Sequence, residues 1–107
     1  MEKENENEVI AMKTIAVIRN FHMMKQIELA DKAGISRNYM SQVESGERTP
    51  SLEVLQKICG ALNMPISNLF LIEEWERGEA ELEKIQPALT PKCQKILAAL
   101  AAIKELD

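Results

Sequence analysis

The sequence predicts an all-α fold, five short helices followed by a C-terminal helical extension. Three observations carry this expectation. Apolar residues recur at spacings of three and four along most of the chain, and no useful stretch alternates as a strand would. Stop and start residues punctuate those runs: Gly34 and Gly46 as helix ends, Ser36, Ser51 and the Thr90-Pro91 pair as helix starts. Aromatics make up only 4% of the 107 residues, so the core must be built from Ile, Leu, Val, Met and Ala.

Residues 1–8 are acidic and Asn-rich and read as a disordered lead-in. From about Val9 to Met24, Ala11, Ile15, Ile18 and His22 share one helical face. Lys25 to Ala33 forms a short amphipathic helix that turns Leu29, Ala30 and Ala33 inward. Gly34 suits the positive φ of a C-cap, Ile35 packs back, and Ser36 caps a helix through Glu44 that buries Met40 and Val43. After Gly46 and the loop Arg48-Thr49-Pro50, Ser51 caps a fourth helix with a buried stripe of Leu52, Leu55, Ile58 and Leu62. Asn63-Met64-Pro65 breaks it. Ile66 to Phe70 is a short fifth helix, with Leu69 and Phe70 closing the core of a domain over 9–71. Residues 72–107 then form helices of their own, the last one starting at Thr90-Pro91.

Composition narrows the function classes. The net charge is −4, which at first argues against a polyanionic partner, but its distribution is uneven. Residues 1–8 sum to −3, residues 9–71 to +2 and residues 72–107 to −3. Binding of nucleic acid by so weak a footprint must depend on where the groups sit. The start of the chain lacks the apolar run of a secretory signal, and no stretch approaches the roughly 18 apolar residues of a membrane span. The expected location is the cytoplasm, with Cys59 and Cys93 as reduced, buried, small hydrophobes. One histidine, His22, and no Cys-x-x-Cys give no metal spacing, and neither a catalytic set nor a phosphate loop occurs. No enzyme activity, metal or cofactor is expected. Glu73-Glu74 reads as a solvated pair on a charged helix.

Two short helices joined by a tight Gly-containing turn form the unit that lays a recognition helix in the DNA major groove. Such a unit needs a small residue where the helices touch (Ala30), a residue free of Cβ penalty in the turn (Gly34) and an apolar plug (Ile35). It also needs core anchors on the second helix (Met40 and Val43). The stretches Gln26-Ile27-Glu28-Leu29-Ala30, Gly34-Ile35-Ser36, Met40-Ser41-Gln42-Val43-Glu44-Ser45-Gly46 and Pro50-Ser51-Leu52 resemble the Xre/Cro/lambda-repressor-like helix-turn-helix family. The similarity covers roughly residues 13–71 and implies a prokaryotic or phage regulator of transcription, usually a dimeric repressor on double-stranded DNA. The exposed face of the second helix of the motif shows Arg37, Asn38, Ser41 and Gln42, residue types that hydrogen-bond base edges. The resemblance implies phosphate contact by Gln26. Tyr39, Arg48 and Thr49 are expected at the DNA backbone. It also implies a structural ion pair between Arg19 and Glu44. The chain departs from the family at Met23, where Gly is frequent, so the first inter-helix turn is expected to differ in shape.

Trp75, Leu82, Ile85, Ile96, Leu97, Leu100 and Ile103 need apolar cover. The leading expectation is a homodimer interface, because two half-sites one DNA turn apart suit a two-fold protein. On that expectation, removal of 87–107 leaves a folded monomer. The alternatives are folding back onto the first domain or binding an unlike protein. The rival function class is a protein-interaction module, such as an antitoxin or adaptor, acting through the C-terminal helices.

Overall fold

The computed structural model describes residues 13–106. The expected lead-in over 1–8 and positions 9–12, Ala11 included, lie outside the described residues. Helix α1 covers 13–21, followed by α2 (Gln26–Ala33), α3 (Arg37–Ser45), α4 (Leu52–Ala61) and α5 (Ile66–Glu76). A single turn, α6 (Leu82–Ile85), runs into a 3-10 turn (Gln86–Ala88), and α7 (Pro91–Leu106) completes the described chain. The described residues contain no strand.

The punctuation residues act as their chemistry demands. Ser36 and Ser51 each accept a hydrogen bond from the backbone N–H three residues on, at 3.0 and 3.2 Å. Thr90 Oγ1 does the same for Cys93 N–H at 3.3 Å. Gly34 (φ 72°) and Gly46 (φ 85°) hold the left-handed backbone that ends α2 and α3. Two other helices end the same way without glycine. After α1, Met23 sits at φ 55° while Met24 N–H reaches back to the Arg19 carbonyl at 3.2 Å. After α4, Asn63 sits at φ 55° while Met64 N–H reaches the Cys59 carbonyl at 3.0 Å. Asn tolerates this region; a long side chain does not, so the departure at Met23 is a strained copy of the glycine turn.

One cluster of buried side chains serves the whole described chain. Ile15 and Ile18 of α1, Leu29 and Ala30 of α2, Met40 and Val43 of α3, Ile58 of α4, and Leu69 and Ile72 of α5 are all at 0% exposure. Cys93, Ile96 and Leu97 of α7 join them at 0%, with Leu100 at 8%. The boundary expected after Leu71 therefore falls inside helix α5, which continues to Glu76.

The C-terminal segment folds back onto this core. Ile85, Ile96, Leu97 and Leu100, expected at a dimer interface, are buried within the protomer itself; Trp75 and Leu82 pack half-buried against the cluster, and Ile103 stays exposed. Polar contacts explain the placement. Asn68, buried on α5, accepts Thr90 N–H on Oδ1 at 2.9 Å and donates from Nδ2 to the Ala88 carbonyl at 3.5 Å. Lys92 Nζ donates to the Leu62 carbonyl at the end of α4 at 2.8 Å. Farther along α7, Lys104 lies 4.5 Å over the Trp75 ring and donates to the Glu76 carbonyl at 3.2 Å. A helix pinned at both ends in this way buries its apolar stripe intramolecularly.

Three further expectations are corrected. Phe70 is exposed, because it follows Leu69 by about 100° around the helix and only one of the two can face the core. Leu52, the first residue of α4, is exposed, and that helix meets the core from Val54 and Leu55 onward. Glu73 is buried rather than solvated: it lies one turn after Leu69 on the inward side of α5 and pairs with Arg77. Burial pushes its carboxyl above the usual range, and the Arg77 guanidinium opposes that rise. Cys59 and Cys93 are buried free thiols, and burial, aided by Cys93, pushes Cys59 up to about 11.

Two stability measurements follow from this packing. Deleting 87–107 removes four buried aliphatic side chains, Leu89, Ile96, Leu97 and Leu100, each contributing about 2 kcal/mol, against a typical total stability of about 5–15 kcal/mol. The truncated chain is expected to lose its cooperative thermal transition by circular dichroism; an intact transition near the full-length Tm contradicts a shared core. Met23→Gly relieves the left-handed strain at a side chain 92% exposed. It is expected to stabilise by about 1 kcal/mol in urea unfolding, and an unchanged or lowered midpoint refutes strain at that turn.

Candidate nucleic-acid interface

Helix α3 is aimed by what it buries. With Met40 and Val43 locked in the core, Arg37, Asn38 and Ser41 are exposed on the outer face and Gln42 is half-buried beside them. The start of α2 flanks this face. Gln26, Arg37, Asn38 and Ser41 line a shallow, polar recess of about 300 Å³. The four residues expected at base edges thus share one surface. Gln26 lies on one flank, and Arg48 and exposed Thr49 lie in the loop after α3 on the other.

A carboxylate close to this surface is neutralised by three donors. Glu44 Oε2 accepts Arg19 Nε at 2.7 Å and Glu44 Oε1 accepts Arg19 Nη2 at 3.0 Å, a forked pair with both side chains largely buried. Gln26 Nε2 donates to the same Oε1 at 3.1 Å. Arg19 Nη1 also donates to the Met24 carbonyl at 2.8 Å, beyond the strained α1 turn. One guanidinium therefore ties the end of α1, and one carboxylate ties α3 to the first residue of α2.

The far flank holds an arrangement that sequence reasoning missed. Arg48 Nε donates to Gln42 Oε1 at 2.9 Å, Arg48 N–H donates to the Gln42 carbonyl at 3.1 Å, and the guanidinium carbon lies 5.2 Å from the Tyr39 ring centroid. Tyr39 is half-buried against the core, as a platform under Arg48. The six-residue separation across the Gly46 turn matches no helical spacing, so the pattern of the sequence carries no signal for it.

His22 stands apart from this surface. It is half-buried, meets Phe21 edge to face at 6.2 Å, and its pKa is lowered by burial first and then by Lys92 and Lys32. Among the described residues no group of three or more His, Cys, Asp or Glu is placed to hold a metal ion, and no helix is long and apolar enough to cross a membrane.

Residues 15–69, about half of the chain, match the family model described as Helix-turn-helix. The chain is 38% identical over 53 residues to an immunity repressor protein of Bacillus phage phi105, covering 50% of this chain and 37% of that protein. It is 44% identical over 63 residues to the transcriptional regulator ClgR of Mycobacterium tuberculosis, covering 57% of this chain and 55% of the relative. The chain thus spans about half the length, or less, of these relatives. Among solved structures it is similar to the clp gene regulator ClgR from C. glutamicum, with a TM-score of 0.58 and 27% identity over 66% of this chain and 90% of that one.

The ion pair is testable by a double-mutant cycle. Removing one partner leaves a buried charge without its counterpart, so Arg19→Met or Glu44→Leu alone is expected to cost about 3 kcal/mol in urea unfolding. The double variant is expected to cost less than either single one. Additive losses rule out a structural coupling.

Proposed function

The chain belongs to the helix-turn-helix family, and from that membership we propose that it is a sequence-specific DNA-binding regulator of transcription in the cytoplasm, acting as a dimeric repressor on an inverted-repeat operator. The observation that carries this reading is the exposed polar face of Arg37, Asn38 and Ser41 with half-buried Gln42, set on a helix whose opposite side is locked in the core. A helix so presented fits the major groove, where Arg grips guanine and Asn or Gln grips adenine through paired hydrogen bonds. Gln26, at the positive end of α2, meets a phosphate on one side, and Thr49 meets the backbone on the other. The net charge of +2 over 9–71 is small, so these placed contacts supply the affinity that a general basic surface does not.

Repression fits the phage immunity repressor among the relatives. Dimerisation falls to apolar side chains exposed among the described residues near the end of α7, Ile103 at 58% and Leu106 at 85% exposure, because the rest of that stripe is inside the core. The rival module, binding an unlike protein, draws on the same end of α7 and on the acidity of 72–107.

Selection of bound duplexes from a random pool by the full-length protein tests the proposal. An enriched inverted repeat is expected, and Arg37→Ala is expected to lower affinity for it by roughly 1–3 kcal/mol with relaxed choice at one base pair per half-site. Enrichment of a single half-site removes the dimeric readout. No enrichment at moderate salt removes the regulator reading in favour of a protein partner.

A further inference from the structure

We propose that Arg48 is a specificity-determining residue, which acts by orienting Gln42 so that the base pair beneath it is read as G·C rather than A·T. This rests on the DNA-binding reading and concerns a single position within it.

Hydrogen-bond chemistry settles the orientation of the glutamine. A guanidinium has donors only, so the Gln42 atom 2.9 Å from Arg48 Nε must be the carbonyl oxygen Oε1. The amide nitrogen is then left on the other side of the amide group. Arg48 is itself restrained in two further ways, by its backbone N–H on the Gln42 carbonyl and by the Tyr39 ring 5.2 Å from its guanidinium carbon. Tyr39 is in turn fixed, its backbone N–H bonded to Ser36 Oγ at 3.0 Å and its ring packed against the core. A continuous set of contacts therefore runs from the core through Tyr39 and Arg48 to the amide of Gln42.

An unrestrained glutamine pairs with adenine, its oxygen accepting from N6 and its nitrogen donating to N7. Here the oxygen is engaged and a fixed positive charge stands beside it. An adenine amino group approaching that edge finds one of the oxygen's two lone pairs taken and a cation beside the other, which repels its N–H donors. Guanine offers acceptors at both O6 and N7, which suit the Gln42 amide hydrogens and the remaining N–H groups of Arg48. The same placement would bring Arg48 off the backbone role expected from sequence and toward the groove.

The experiment is selection from a random duplex pool with the full-length wild type, Gln42→Ala and Arg48→Met, with thermal melts of each. Arg48→Met keeps the aliphatic stem and the backbone hydrogen bond and removes the guanidinium. Gln42→Ala identifies the base pair beneath residue 42 as the one whose preference is lost. The expected result is guanine at that pair for the wild type, and a shift of about tenfold toward adenine at that pair alone for Arg48→Met. An even loss of affinity at all positions with guanine retained, the behaviour of a plain phosphate contact, overturns the proposal. So does adenine at that pair in the wild type, or a Gln42→Ala profile identical to wild type. Failure of the wild type to enrich any sequence is a different outcome, which overturns the DNA-binding reading itself.

Discussion

The forked contact between Arg19 and Glu44 is the constraint on which the exposed polar face of α3 depends. Helix α3 carries its exposed residues on a surface whose direction is set by Met40 and Val43 inside. The guanidinium fastens its C-terminal part to α1, and the same carboxylate fastens Gln26 at the start of α2. An acid and an amide are thereby converted into one oriented unit. A buried pair of this kind contributes geometry more than net stability, since desolvation of both charges offsets most of their attraction.

The same carboxylate decides what Gln26 can offer. With Nε2 committed to Glu44, the amide of Gln26 is held at the mouth of the recess it shares with Arg37, Asn38 and Ser41. Gln42 is restrained from the other side by Arg48. Both glutamines at the edges of the face are therefore pre-ordered before any ligand arrives, which lowers the entropy lost when long side chains are immobilised in a complex. The exposed Arg37 and Asn38, by contrast, lie on a helix surface that the described residues leave open.

The C-terminal segment matters to this face at a distance. Asn68, Lys92 and Lys104 hold α7 across α4 and α5, so the helices that back the helix-turn-helix share one core with the chain end. A stripe of Ile96, Leu97 and Leu100 at a spacing of one and three looks the same whether it packs within the protomer or against a second copy. Periodicity reports that a helix has an apolar side, and carries no information on which surface covers it.

What the sequence determined by itself was local. The caps at Ser36, Ser51 and Thr90, the left-handed glycines at 34 and 46, the inward set of Leu29, Ala30, Met40 and Val43, and the outward set of Arg37, Asn38 and Ser41 all follow from spacing and residue chemistry within a few positions. The tertiary structure alone decided the rest: that α5 runs through the expected domain boundary, that Glu73 is buried beside Arg77, that α7 closes the protomer's own core, and that Arg48 grips Gln42 over Tyr39. Each of these depends on which surfaces meet in space, a quantity set by the sum of many packing and desolvation terms rather than by any local pattern.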